Sequence, residues 1–165
     1  MRHDLLLLRH AKSDWDAGAG RDHDRPLAPR GIAAAGRVGN WLAAAGPALD
    51  LVVTSSAVRA LETARLALRE GRLATPLRVE PSFYGSDVAA MLEAVRGLDD
   101  ALAGVLLVGH EPTWSALASL LIGGGNVRMP TAAVAGIRFE VGSWGDVEPG
   151  AGELRFLLSP RVFGE

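Results

Sequence analysis

The sequence predicts an α/β protein, a mostly parallel six-stranded sheet with helices on both faces in three layers. Three observations carry that expectation. Short apolar runs recur along the chain and read as strands buried on both sides. Helical patterns fall between them, as the crossovers of a parallel sheet require. Glycine and proline punctuate the junctions.

Leu5-Leu6-Leu7-Leu8 is the first strand, and the polar, glycine-containing stretch from Lys12 to Arg25 is a loop. Pro29 opens a helix with Ile32, Ala35, Gly39 and Leu42 on one side, and Gly46-Pro47 stops it. Leu51-Val52-Val53 is the second strand. Ser55 or Ser56 is positioned to cap the next helix, which runs through Leu61 and Leu68 to Gly71. A short strand at Leu77-Arg78-Val79 and a helix from about Asp87 to Val95 follow. Val105-Leu106-Leu107-Val108 is the fourth strand. Pro112 suits the first turn of a helix carrying Trp114, Leu117, Leu120 and Leu121 on one face. Gly123-Gly124-Gly125-Asn126 follows that helix and reads as a connector. Val134 to Val141 and Leu154 to Leu158 are the last two strands.

Composition bounds the function. A chain of 165 residues is expected to form one domain, 1–165, large enough to bury a core. A net charge of −2 excludes a global positive field for nucleic acid or anionic lipid, so anion binding must come from a local cluster. Without cysteine there is no thiolate, disulfide or zinc–thiolate chemistry. The start is too short and too acidic for a signal peptide, and no apolar stretch approaches the ~20 residues of a membrane span. A cytoplasmic location is expected; the oligomeric state is not legible.

Ligands of such sheets bind beyond the carboxyl ends of the strands. Arg9-His10 ends the first strand, Ser55, Ser56 and Arg59 follow the second, and His110 ends the fourth. An isolated Arg-His pair carries no weight, but four positions at three strand ends do. Arginine offers a fixed fork of donors that matches phosphate oxygens, and two such forks neutralise a phosphate dianion. Neutral imidazole is a competent nucleophile near neutral pH. Arg59 sits early in its helix, where the dipole disfavours a cation and a bound anion would explain one. His3, Asp4, Asp22, His23 and Asp24 match no metal-ligand spacing and read as solvated surface. Neither metal nor cofactor is expected. The four tryptophans, Trp15, Trp41, Trp114 and Trp144, read as core or pocket wall.

Leu8-Arg9-His10-Ala11-Lys12-Ser13 resembles the opening motif of the histidine phosphatase superfamily, the phosphoglycerate mutase-like fold. Ser55 to Ala64 looks like its second signature, and Val108-Gly109-His110-Glu111-Pro112 like its third. Asp24-Arg25-Pro26-Leu27 followed by Gly31 is similar to the short SixA-type branch of phosphohistidine phosphatases. The resemblance spans nearly the whole chain. It implies that His10 is the nucleophile, that Arg9, Arg59 and His110 hold the phosphoryl group, and that Arg25 and Ser13 contact substrate. Ala11 stands where many members have glycine. Glu80, in Glu80-Pro81-Ser82-Phe83-Tyr84, is the candidate for the acid that many relatives carry between the second and third motifs.

Two further arguments bear on substrate. Alkoxide leaving groups need a proton from the enzyme, whereas imidazole leaving from phosphohistidine is far less basic. A weak or missing acid therefore favours a P–N substrate. The short interval between Arg59 and His110 has room for one strand and one helix, so the pocket should be open. The expected partner is a phosphorylated protein or a small phosphorylated metabolite. Phosphohistidine hydrolysis is the leading expectation; the alternatives are hydrolysis of nucleotide or sugar phosphates, a mutase, which needs a closed pocket that so short a chain is not expected to build, and a catalytically silent phosphate-binding module.

Overall fold

The computed structural model describes residues 1–163. Six strands form one sheet: β1 (Arg2–Arg9), β2 (Leu51–Ser55), β3 (Leu77–Glu80), β4 (Gly104–Gly109), β5 (Val134–Glu140) and β6 (Glu153–Leu158). Their order is β3-β2-β4-β1-β5-β6. The pairs β1·β4, β2·β4 and β2·β3 are parallel, while β1·β5 and β5·β6 are antiparallel. The sheet is thus parallel over its first four strands and closed by an antiparallel hairpin.

Strand periodicity divides the core. Leu5 and Leu7 point to one face and Leu6 and Leu8 to the other, all four at most 1% exposed. The Leu6/Leu8 face packs against α1 (Pro29–Ala45) and α2 (Val58–Glu70). The opposite face carries α3 (Val88–Arg96) and α4 (Thr113–Leu121), with Trp114 and Trp144 fully buried there. Helices lie on both faces, as expected.

Several local expectations are corrected. Ile32 is 46% exposed; the buried strip of α1 is Gly31, Ala34, Ala35, Gly36, Val38, Gly39 and Leu42. Small residues are selected there because α1 and α2 approach closely: a Cβ at Gly39 would stand 2.1 Å from the Ala67 carbonyl oxygen. On α4, Leu120 is only half-buried, and Ser115 and Ala118 join the buried face instead. Neither Ser55 nor Ser56 caps α2. Its N-cap is Ala57, without a side-chain cap, and both serines are engaged elsewhere. His3 and Asp4 are not solvated surface either. His3 is buried against Trp144, and Asp4 pairs with Arg138. Trp15 is exposed, and of the two places expected for the tryptophans it takes the pocket wall.

Parallel pairing aligns the strand ends that matter. Arg9 on β1 is level with Gly109 on β4, and Thr54 on β2 with Val108. His10, Ser55 and His110 therefore emerge at one edge.

Candidate active site

His10, Arg9, Arg59 and His110 do meet. They line one cavity of about 220 Å³ together with Ser13, Trp15 and Arg25. The His10 and His110 rings lie 5.3 Å apart, centroid to centroid.

The loop after β1 fixes His10. The Ala11 N–H donates to Thr63 Oγ1 at 3.0 Å, and the Thr63 hydroxyl donates to the Arg59 carbonyl at 2.7 Å. One α2 threonine thus ties the histidine loop to the turn that carries Arg59. His10 Nδ1 lies 2.8 Å from the Ala11 carbonyl oxygen. A carbonyl can only accept, so Nδ1 holds the proton and the Nε2 lone pair is the free one. Burial first, opposed by the Ala11 carbonyl and reinforced by His110, Arg59 and Arg9, pushes the His10 imidazole down to about 3. Burial, then Arg59, pushes His110 down to about 4, with Asp22 opposing. Both rings are neutral at pH 7.

His110 Nε2 lies 2.8 Å from Ser55 Oγ, which itself accepts from the Ala57 N–H at 3.2 Å. The Ser55 hydroxyl has no other acceptor among the described residues, so it donates to His110 Nε2, and the imidazole proton is on Nδ1. Arg9 is held from the other side: its Nη1 donates to the Met129 carbonyl at 3.0 Å. Met129 N–H donates to Ser115 Oγ, and Ser115 donates from its N–H and its hydroxyl to the two oxygens of Glu111. Burial lowers the Arg9 guanidinium somewhat, with Glu111 opposing.

Arg25 and Arg59 are 8% and 6% exposed, and guanidiniums that deep require a partner. That partner is Asp22, a residue the sequence reading assigned to surface. Asp22 Oδ1 accepts from Arg25 Nη2 at 2.8 Å, and Oδ2 accepts from Arg59 Nη2 at 3.0 Å and from the Tyr84 hydroxyl at 2.8 Å. Hydrogen bonds from Arg25, then from Tyr84, hold its carboxyl well below the usual carboxylate range. The same bond raises Tyr84. Asp22 stands three residues before Arg25 across one 3-10 turn, Asp22–Asp24, a spacing that could have flagged the pair. Tyr84 offered no such signal. Arg25 also donates to Ser13 Oγ and stacks on Trp15, its Cζ 3.6 Å from the ring centroid.

Glu80 does not join them. It pairs with Ser55 across the β2–β3 ladder, and its carboxylate turns away to accept from the Ser82 N–H and hydroxyl. Those bonds lower its carboxyl, the wrong direction for an acid at neutral pH.

Arg9 Nε, Arg25 Nε, Arg59 Nε and His110 Nδ1 are buried and have no hydrogen-bond partner among the described residues. Such donors are costly to leave unpaired, and the side chains that carry them line one cavity, whose cationic wall suits an oxyanion. Those residues hold no group of three or more His, Cys, Asp or Glu arranged for a metal ion, and no helix long and apolar enough to cross a membrane.

The depressed histidines give a direct test. Between about pH 5 and 8 the ring-proton NMR signals of His10 and His110 are expected to stay still, whereas free imidazole titrates near ~6.5. Below ~6.5 the unfolded chain takes up protons that the folded chain refuses, so stability is full above that pH and falls toward about 3 to 4. A His10 signal with a midpoint near its ordinary value would contradict the buried, neutral assignment.

Known proteins resemble this chain in sequence and fold. The model of the histidine phosphatase superfamily (branch 1) matches residues 5–84, a span that includes Arg9, His10 and Arg59. An uncharacterized protein of Mycobacterium tuberculosis is 41% identical over 164 residues, covering 93% of this chain and 100% of that one. The SixA protein from Nakamurella multipartitia superposes with a TM-score of 0.83 at 30% identity over 97% of both chains. The protein histidine phosphatase SixA complexed with tungstate gives 0.82 at 24% identity, covering 96% of this chain and 98% of the other. The chain accordingly belongs to the histidine phosphatase superfamily, on its SixA-type branch.

Proposed function

We propose that the chain is a phosphohydrolase that works through a phosphohistidine on His10 and removes phosphoryl groups from histidine side chains of other proteins. The observation that carries this reading is the neutral His10 ring, its Nδ1 proton committed to the Ala11 carbonyl, beside three guanidiniums with unpaired N–H groups. Nε2 attacks phosphorus in line as the P–N bond of the substrate breaks, and the departing imidazole leaves already protonated. Water then attacks the phosphorylated His10, the Nε2–P bond breaks, and phosphate is released. Arg9, Arg25, Arg59 and His110 stabilise the charge that spreads over the oxygens during both transfers. Ser13 acts on substrate through Arg25, which it orients.

The choice of a P–N substrate follows from the missing acid. Glu80 lies elsewhere, Asp22 is held ionised, and Glu111 commits both oxygens to Ser115. An alkoxide would leave such a site without a carboxyl proton donor, at a loss of about 10²–10⁴-fold in rate. The SixA-type neighbours support the same reading.

A substrate panel tests it. Turnover per unit KM on a phosphohistidine peptide should exceed that on nucleotide or sugar monophosphates by at least about 10²-fold. Equal or better turnover of a sugar phosphate would make the protein a small-ester phosphatase. No turnover of anything, with no phosphoenzyme trapped from labelled substrate, would make it a silent phosphate-binding module.

A further inference from the structure

A second, larger cavity of about 660 Å³ opens beside the first and shares Arg9, Lys12, Glu111 and Thr131 with it. Its remaining cations are Arg30 and Arg37 from α1, Arg128 from the segment before β5, and Arg161 from the turn after β6. Among the described residues Glu111 is the one carboxylate in its wall, and it is engaged by Ser115. None of Lys12, Arg30, Arg37, Arg128 and Arg161 forms an ion pair among the described residues. Arg37 Nε is buried without a hydrogen-bond partner there. Such a concentration of unpaired positive charge, in a chain whose net charge is −2, costs self-repulsion that folding alone does not repay.

The distribution of these charges says what they face. A single phosphate is satisfied by two or three donors, and the catalytic cavity already supplies them. In the second cavity the cations come from four separate segments, and Arg30 and Arg37 alone are about 10 Å apart along α1. That spread suits several anionic groups along a chain better than one compact anion. We propose that this groove receives an acidic segment of the phosphorylated protein, with carboxylates set against Arg30, Arg37, Arg128 and Arg161 while the phosphoryl group occupies the neighbouring cavity. The inference rests on the reading of the chain as a phosphatase of proteins, and names which proteins fit.

The test compares two phosphohistidine peptides with the same centre, one flanked by Asp and Glu and one by Ser and Gln. It uses the full chain and its Arg30→Gln/Arg128→Gln/Arg161→Gln variant, three exposed positions outside the catalytic cavity. Three exposed charge contacts of ordinary strength together give about a tenfold effect. KM for the acidic peptide should be about tenfold below that for the neutral one at low salt, with similar kcat, and the triple variant should erase the gap. Turnover of p-nitrophenyl phosphate should be the same in both proteins, which shows that the variant is folded. Equal KM values for the two peptides, or a gap that survives in the variant, would overturn the groove assignment. A groove-dependent preference for a bisphosphorylated sugar, without discrimination between peptides, would overturn it in favour of a metabolite. If neither phosphopeptide turns over while p-nitrophenyl phosphate does, the function proposed above fails. Binding of the unphosphorylated acidic peptide then decides the groove: Kd about tenfold weaker in the variant upholds it, and unchanged or absent binding overturns it.

Discussion

Replacing His10 by alanine is expected to remove turnover of every phosphorylated substrate, a loss of about 10⁴-fold or more, the scale set by deleting a covalent nucleophile. Nothing nearby can substitute. His110 commits Nε2 to Ser55, and the other polar groups of the cavity wall are cations, a carboxylate and the hydroxyls of Ser13 and Thr131, none of them an imidazole. Phosphate or vanadate should still bind, because Arg9, Arg25 and Arg59 take their positions from Met129, Ser13 and Asp22 rather than from His10. Turnover on p-nitrophenyl phosphate and calorimetric titration with vanadate read the two effects separately. A variant that kept wild-type turnover would end the covalent mechanism. One that lost activity and anion binding together would point to collapse of the pocket instead.

The second large effect belongs to Arg59. Arg59→Ala is expected to lower kcat/KM by about 10²–10³-fold, in the range for one lost donor to a developing charge. Arg59→Lys should recover only a minor part, because an ammonium cannot reproduce the fork that now donates Nη1 to the Asp22 carbonyl and Nη2 to its carboxylate. The alanine variant also leaves Asp22 held by Arg25 and Tyr84, so a negative charge stays at the mouth with less to balance it. Steady-state kinetics on the alanine, lysine and wild-type proteins check the order. Full recovery by lysine would show that charge alone, not geometry, is what Arg59 supplies.

How much of this was legible follows from where each residue sits. His10, Arg59 and His110 stand one to four residues beyond the ends of β1, β2 and β4, and parallel pairing leaves no choice about the edge they share. The antiparallel hairpin of β5 and β6 was compatible with the expected sheet without being specified by it. Asp22 and Tyr84 are on loops and meet across 62 positions, where no periodicity reports contact. Glu80 failed for a matter of register. One ladder step beyond Val79, its carboxylate finds Ser82 two residues on, and that local bond outcompetes reaching across to the cavity. Ser55 was recognised as important for the wrong partner: it satisfies His110 rather than α2.

The Asp22 bridge has an electrostatic consequence for the pocket as a whole. Arg9, Lys12, Arg25 and Arg59 bring four positive charges, Asp22 and Glu111 bring two negative ones, and both histidines are neutral at pH 7. The surplus is two positive charges, equal and opposite to the dianion a phosphoryl group carries above its second pKa of about 6. A bound dianion therefore leaves the cavity neutral, whereas protonating either histidine or removing Asp22 would leave it overcharged. Selectivity for a doubly ionised ligand is in this sense expected of the ensemble, and it depends on the same carboxylate that keeps two buried arginines in place.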